Sequence, residues 1–86
     1  MQNDIVGQTF DDFDLSDIRL PMVTVYIRPR DYPDKIVARI GDGTKGPTTA
    51  VLLFESVEAC EAAIPPGFVK LARHPMDDAN IHAVYI

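Results

Sequence analysis

The sequence lacks the residues that usually reinforce a small protein. Its 86 residues include one cysteine, Cys60, and no tryptophan, so no disulfide can form within the chain. A chain this short buries only about 60% or a little more of the surface that its unfolded form exposes. We therefore expect a single domain of modest stability that gains from self-association.

Long apolar runs are also missing. No segment is long and apolar enough to cross a membrane, and the first residues lack the basic region and apolar run of a signal peptide. The sequence therefore predicts a cytoplasmic protein without a membrane partner.

Positive charge is absent from the start of the chain. The net charge is −5. Residues 1–17 contain five acidic residues and no lysine or arginine, whereas residues 18–86 contain equal numbers of acidic and basic residues. These acids are Asp4, Asp11, Asp12, Asp14 and Asp17. The pattern predicts an acidic N-terminal arm, 1–17, followed by one neutral ββαββ domain, 18–86. It disfavours nucleic acid as a partner, because nucleic-acid binders are usually basic.

The strongest strand pattern runs from Met22 to Arg28. Val23, Val25 and Ile27 alternate with polar or aromatic side chains between two prolines, which is typical of a half-buried strand. Further strands are predicted at Lys35–Ile40, Ala50–Phe54, Phe68–Arg73 and Ile81–Ile86.

One short helix is predicted at Ser56–Ile64, with Ser56 as its N-cap and Cys60 on its buried stripe. We expect an α+β fold in which this helix covers one face of a small, mostly antiparallel five-stranded sheet. With the strands numbered along the chain, the expected order is 3-2-1-5-4.

The stretch Gly41–Gly46 matches the spacing G-x-G-x-x-G, but a phosphate loop is rejected there. The dinucleotide fingerprint needs its third glycine inside the first turn of a helix, whereas an apolar strand pattern follows Pro47. We interpret the stretch as a glycine-rich hairpin loop.

The uncovered face of the predicted sheet is the first candidate binding site. Alternation places Thr24 and Val37 on this face and gathers one aromatic and four cationic side chains beside them: Tyr26, Arg28, Lys35, Arg39 and Lys70. Such a set suits a protein interface or a single-stranded nucleic acid, and it also describes an ordinary solvated face.

The acidic arm is the second candidate. Its segment Phe10, Asp11, Asp12, Phe13, Asp14 either lays its aromatics on the domain or orders against a basic partner. A calcium loop starting at Asp12 is rejected, because its sixth position is Asp17 where glycine is required.

The sequence shows no metal or catalytic constellation. His74, Asp77, Asp78 and His82 are suitable metal ligands, but their spacing presets no coordination geometry. We therefore expect no metal, cofactor or catalytic residue, although the sequence leaves enzyme activity open. The predicted function is a cytoplasmic binding or regulatory module that acts through a sheet face or edge and forms a homodimer. The alternatives are single-stranded nucleic-acid binding on the Tyr26, Arg28, Arg39 face, or inhibition of a basic protein by the arm.

Overall fold

A computed structural model of the chain describes residues 4–16, 18–72 and 79–86. In these residues the chain forms six strands and one α-helix. In chain order they are β1 (Ile5–Gly7), β2 (Pro21–Ile27), β3 (Ile36–Asp42), β4 (Gly46–Phe54), α1 (Val57–Ala63), β5 (Lys70–Ala72) and β6 (Ile81–Tyr85). The fold is thus a small α+β domain, as predicted, with the central pattern forming β2.

The strands form one mixed sheet in the order β1-β4-β3-β2-β6-β5. The strand β1 is parallel to β4, and every other neighbouring pair is antiparallel. The predicted count of five strands is wrong, and the full order differs from the predicted one, because β1 adds a sixth strand beside β4. The relative order of the five predicted strands is retained, as β4-β3-β2-β6-β5. The sequence pattern did not reveal β1, since three residues are too few to show an alternation and its partner lies far along the chain.

The main core lies between the sheet and α1. Val23 and Val25 of β2 face Ala38 and Ile40 of β3, and Cys60 of α1 packs against them without solvent exposure. The predicted role of Cys60 as a buried apolar residue is confirmed. Phe10, from a short 3-10 turn after β1, is also buried in this core, with Phe13 and Leu15 packed against it.

The glycine-rich stretch forms the tight β3–β4 hairpin, as predicted. The Asp42 carboxylate accepts hydrogen bonds from the Thr44 amide (2.8 Å), the Thr44 hydroxyl (2.6 Å) and the Arg19 amide (3.1 Å). These donors lower the pKa of Asp42 to about 2. Gly46 has a φ of 103°, a conformation that glycine adopts without strain. The hairpin is therefore stabilised by Thr44 within the turn and by Arg19, just before β2.

The helix α1 begins where its cap predicts. The Ser56 hydroxyl accepts a hydrogen bond from the Ala59 amide at 3.1 Å, which satisfies one of the free amides of the first turn. After Ala63 the chain reaches Pro65 and Pro66, which cannot continue a helix.

Candidate functional site

The sheet face opposite α1, here called the outer face, carries two of the five predicted binding residues, Tyr26 and Arg39, on neighbouring strands in diagonal positions. The register places Thr24 beside Arg39 and Tyr26 beside Val37. This face is not uniformly open, because Val37 is only 1% exposed and Val51 of β4 is fully buried. The expectation that Val37 faces solvent is therefore wrong.

Arg39 is neutralised by the N-terminal segment. Its Nη1 and Nη2 donate to the two Asp4 carboxylate oxygens at 2.8 and 3.0 Å, and Nη1 also donates to the Thr48 carbonyl at 2.8 Å. The Asp4 and Arg39 side chains are only 4% and 16% exposed. Asp31 adds a second carboxylate at 4.0 Å from Nη2. Arg39 is thus already engaged by anionic groups of its own chain.

The Tyr32 hydroxyl completes this cluster by donating to Asp4 at 2.9 Å. The pKa of Asp4 lies below its usual value, chiefly because Arg39 donates to the carboxylate, with a smaller effect from Tyr32. Burial and the Asp4 carboxylate raise the pKa of Tyr32. The cluster is therefore an ionised carboxylate held by three donor groups: the two Arg39 nitrogens and the Tyr32 hydroxyl.

Two small cavities flank Arg39, and Tyr26 lines both of them. One, of about 160 Å³, is bounded by Tyr26, Pro29, Asp31, Tyr32, Val37 and Arg39. The other, of about 140 Å³, is bounded by Met22, Thr24, Tyr26, Arg39, Gly41, Gly46 and Pro47. Both are smaller than the roughly 300–1,000 Å³ of typical small-molecule sites.

The other predicted cations do not join this cluster. Lys35 forms an ion pair with Glu55, and Lys70 donates to Glu61 of α1 at 2.6 Å. Lys70 therefore lies on the α1 side of the sheet, which corrects its predicted position on the uncovered face. Arg28 is exposed at the end of β2, with a φ of 47°. The predicted cationic face is thus dispersed.

Beyond β1, the acidic arm also contacts the domain through its apolar side chains. Phe10 is only 7% exposed, and the Asp12 carboxylate accepts from the amides of Gln8 and Thr9 at 2.6 and 3.1 Å. Asp14 accepts from the Ser16 amide in the same way, at 2.9 Å, while Asp11 is exposed. Two of these carboxylates therefore stabilise local turns. Asp17, and with it the proposed boundary at residue 17, lies outside the described residues.

A second polar cluster, which the sequence did not reveal, surrounds Glu61. Its Oε2 accepts from Lys70 Nζ at 2.6 Å and from the Tyr85 hydroxyl at 3.0 Å, and it lies 3.3 Å from His82 Nε2. These contacts lower the pKa of Glu61 to about 2, with Lys70 and Tyr85 contributing most. A carboxylate with so low a pKa is a poor general base near neutral pH, so the cluster is better suited to tying α1 to β5 and β6.

Within residues 4–16, 18–72 and 79–86, no group of three or more potential metal-ligating side chains lies close together. The candidate ligands His74, Asp77 and Asp78 lie outside the described residues. Among the described residues, no helix is long and apolar enough to cross a membrane.

The half of the outer face near β5 carries a set of apolar side chains, here called the apolar patch: Val69, Leu71, Val84 and Ile86. Leu71 lies beside Val84, and Val84 lies beside Thr24 of β2. Val69 and Ile86 exchange two backbone hydrogen bonds, at 2.6 and 3.0 Å. Val69, Leu71 and Ile86 are 61%, 44% and 47% exposed.

An open groove of about 340 Å³ adjoins the apolar patch at Ile86, and it is lined by Leu20, Pro21, Pro66, Gly67, Phe68 and Ile86. Leu20 is itself 53% exposed. The sequence signal for this surface was the pair Val69 and Leu71, which alternate with Lys70. That alternation predicts a face but does not reveal whether anything covers it.

Comparison of the chain with protein-family models, with curated proteins and with solved structures gave no significant match, so the geometry of these surfaces is what bears on function.

Proposed function

We propose that the chain is a small, non-catalytic binding module that forms a homodimer through the apolar patch at the β5 edge. The observation that carries this proposal is the exposure of Val69, Leu71 and Ile86, each more than 40% accessible on one continuous surface. Clusters of large exposed apolar side chains commonly mark interaction sites. Covering them with a second chain removes apolar area from water, at about 25 cal/mol per Å².

A second copy is favoured as the partner because an apolar surface is complementary to itself. In a two-fold interface the same residues meet from both sides, so a strongly charged patch would repel its copy. The chain has a net charge of −5, yet the apolar patch itself carries no ionisable side chain. Association through it therefore brings no like-charged side chains of the patch into contact.

The strand β5 also offers a backbone edge. Among the described residues it pairs only with β6, so its other side is available for an added strand. An antiparallel β5–β5 pair centred on Leu71 sets each Lys70 opposite an Ala72 and the two Leu71 side chains next to each other, so the two apolar patches meet along the new strand pair on one face of the joined sheet. That register avoids opposing like charges, which destabilise a sheet.

Light scattering of the full chain tests the dimer. We expect twice the monomer mass for the unaltered chain and the monomer mass for Leu71→Lys, because a lysine in the patch opposes its own copy. The matched control is Ile5→Lys, which adds the same charge at a 61% exposed position on the opposite edge strand and should stay dimeric. A monomeric unaltered chain, or a dimer that survives Leu71→Lys, would contradict the proposal.

The two alternative functions have less support. Arg39, Lys35 and Lys70 each contact a carboxylate of the same chain, which leaves less positive charge for a nucleic acid. The arm's Phe10 is buried in the core, which makes it unavailable to a basic partner unless the arm is released. Both alternatives, like the cytoplasmic location and the homodimer, remain predictions.

A further inference from the structure

The strand β1 is held at the edge of the sheet by more than its three paired residues. Only three residues pair with β4, and Ile5 and Val6 are 61% and 47% exposed, so the strand buries little apolar surface. The Asp4 side chain just before it is almost completely buried and is held by Arg39 and Tyr32. The binding specificity of this edge therefore depends on the site that holds the Asp4 carboxylate. Arg39 and Tyr32 form this site, here called the Arg39–Tyr32 pocket.

The pocket is shaped for a carboxylate. The two Arg39 nitrogens meet the two oxygens of Asp4 in parallel, the bidentate geometry that arginine favours with carboxylates. The Thr48 carbonyl accepts from Nη1 at 2.8 Å and fixes the guanidinium from the other side. Asp31 lies 4.0 Å from Nη2, and its negative charge disfavours a doubly charged phosphate in the same place.

A second requirement follows at Gly7. A Cβ atom added there would lie 2.5 Å from Cε2 of Phe13, which is too close for any larger residue unless that ring moves. Phe13 packs against the core, so its ring limits the space beside β4. The edge thus accommodates an acidic residue and, as long as the Phe13 ring stays in place, favours a glycine three positions later.

We propose that the edge of β4 on which β1 lies, together with the Arg39–Tyr32 pocket, is a binding site for an extended acidic segment of another polypeptide. The segment adds to β4 as a parallel strand, with its carboxylate on Arg39 and a glycine beside Phe13. The chain's own residues 4–7 fill the site and compete with the incoming segment. This site lies at the opposite edge of the sheet from the apolar patch, so it does not depend on the proposed homodimer, and either proposal can fail alone.

A synthetic peptide with the sequence of residues 1–9, carrying a fluorescent label, serves as the probe. It is titrated into the full chain carrying Asp4→Lys, in which the lysine repels Arg39 and weakens the internal competitor. The matched control is Asp11→Lys, the same charge change at an exposed position of the arm. We expect the peptide to bind the Asp4→Lys chain at least about tenfold more tightly than it binds the Asp11→Lys chain or the unaltered chain. Only in the Asp4→Lys chain does the internal segment lose its charge-assisted hydrogen bonds to Arg39, so it competes less with the peptide.

Two further changes test the chemistry of the pocket. A peptide with asparagine in place of its aspartate should lose this binding, and so should the full chain carrying both Asp4→Lys and Arg39→Gln. Equal binding to Asp4→Lys and Asp11→Lys, or equal binding of the aspartate and asparagine peptides, would overturn the proposal. If circular dichroism shows that Asp4→Lys does not fold, Asp4→Asn takes its place, with the same expected order of affinities.

Discussion

Asp4 and Arg39 are joined by two parallel hydrogen bonds, of 2.8 and 3.0 Å, although 35 positions separate them in the sequence. The sequence assigned one to the acidic arm and the other to a cationic binding face. In the structure they are a single polar cluster that fastens β1 to the sheet. The most acidic part of the chain thus neutralises the most enclosed of the predicted binding cations.

The effects of changing Asp4 and Arg39 on the free energy of unfolding should be coupled. We expect Asp4→Asn and Arg39→Gln each to lower the free energy of unfolding by about 1–3 kcal/mol, because each leaves a poorly solvated partner without its charge-assisted hydrogen bonds. The double variant should lose less than the sum of the two, since both remove the same interaction. Urea denaturation measures all three, with exposed Asp11→Asn as the control; strictly additive losses would show that the two residues act independently.

Stability should fall in acid through Glu61. Its pKa is lowered from 4.5 to about 2 in the folded chain, so its contribution is complete above pH 4.5 and is lost as the pH falls towards 2. We expect Glu61→Gln to be less stable at neutral pH and to show a shallower decline across that window. Thermal melts from pH 7 to pH 2 measure the effect, and Glu58→Gln, exposed on the same helix, should keep the steep profile. An unchanged profile in Glu61→Gln would show that other carboxylates dominate.

Cys60 should be chemically inert in the folded chain. Burial raises the pKa of its thiol to about 12, and the side chain has no solvent exposure, so the reactive thiolate is scarce and inaccessible. We expect iodoacetamide at pH 8 to alkylate the folded chain at least about tenfold more slowly than the chain in urea, because only the unfolded form exposes the thiol. Mass spectrometry measures both rates; equal rates would place Cys60 outside the core.

Binding to single-stranded nucleic acid should be weak or absent in the full chain. Because the carboxylates Asp4, Glu55 and Glu61 each accompany one of the predicted cations, we expect no saturable binding of a labelled oligothymidine at low salt. Fluorescence anisotropy measures it. Saturable binding that weakens steeply as salt rises would instead favour the nucleic-acid alternative, since release of counterions produces that dependence.

The sequence predicted the elements that are specified by residues close together in the chain. The alternation around Val25 marks β2, the hydroxyl of Ser56 marks the start of α1, and the glycines after Ile40 mark the hairpin. Each of these depends on residues that lie a few positions apart. That is why the α+β class could be predicted from the sequence.

Contacts between distant segments could not be predicted in the same way. The pairing of Ile5 with Ala50, and of Asp4 with Arg39, leaves no periodic trace in either segment. The same holds for Val37, which alternation assigns to solvent and which is buried in the structure beside Tyr32 and Pro29. Alternation predicts which way a side chain points, but the burial of that side chain depends on a covering segment elsewhere in the chain.

The parallel pairing of β1 with β4 also sets an order of assembly during synthesis. The segment that forms β1 leaves the ribosome before β2, β3 and β4, and it has no partner in the sheet until β4 has been made. Non-local pairings of this kind form late, because the intervening chain must first be closed into a loop. The strand β1 therefore waits for β4 before it can join the sheet, and the nascent chain presents an unoccupied β4 edge until it does.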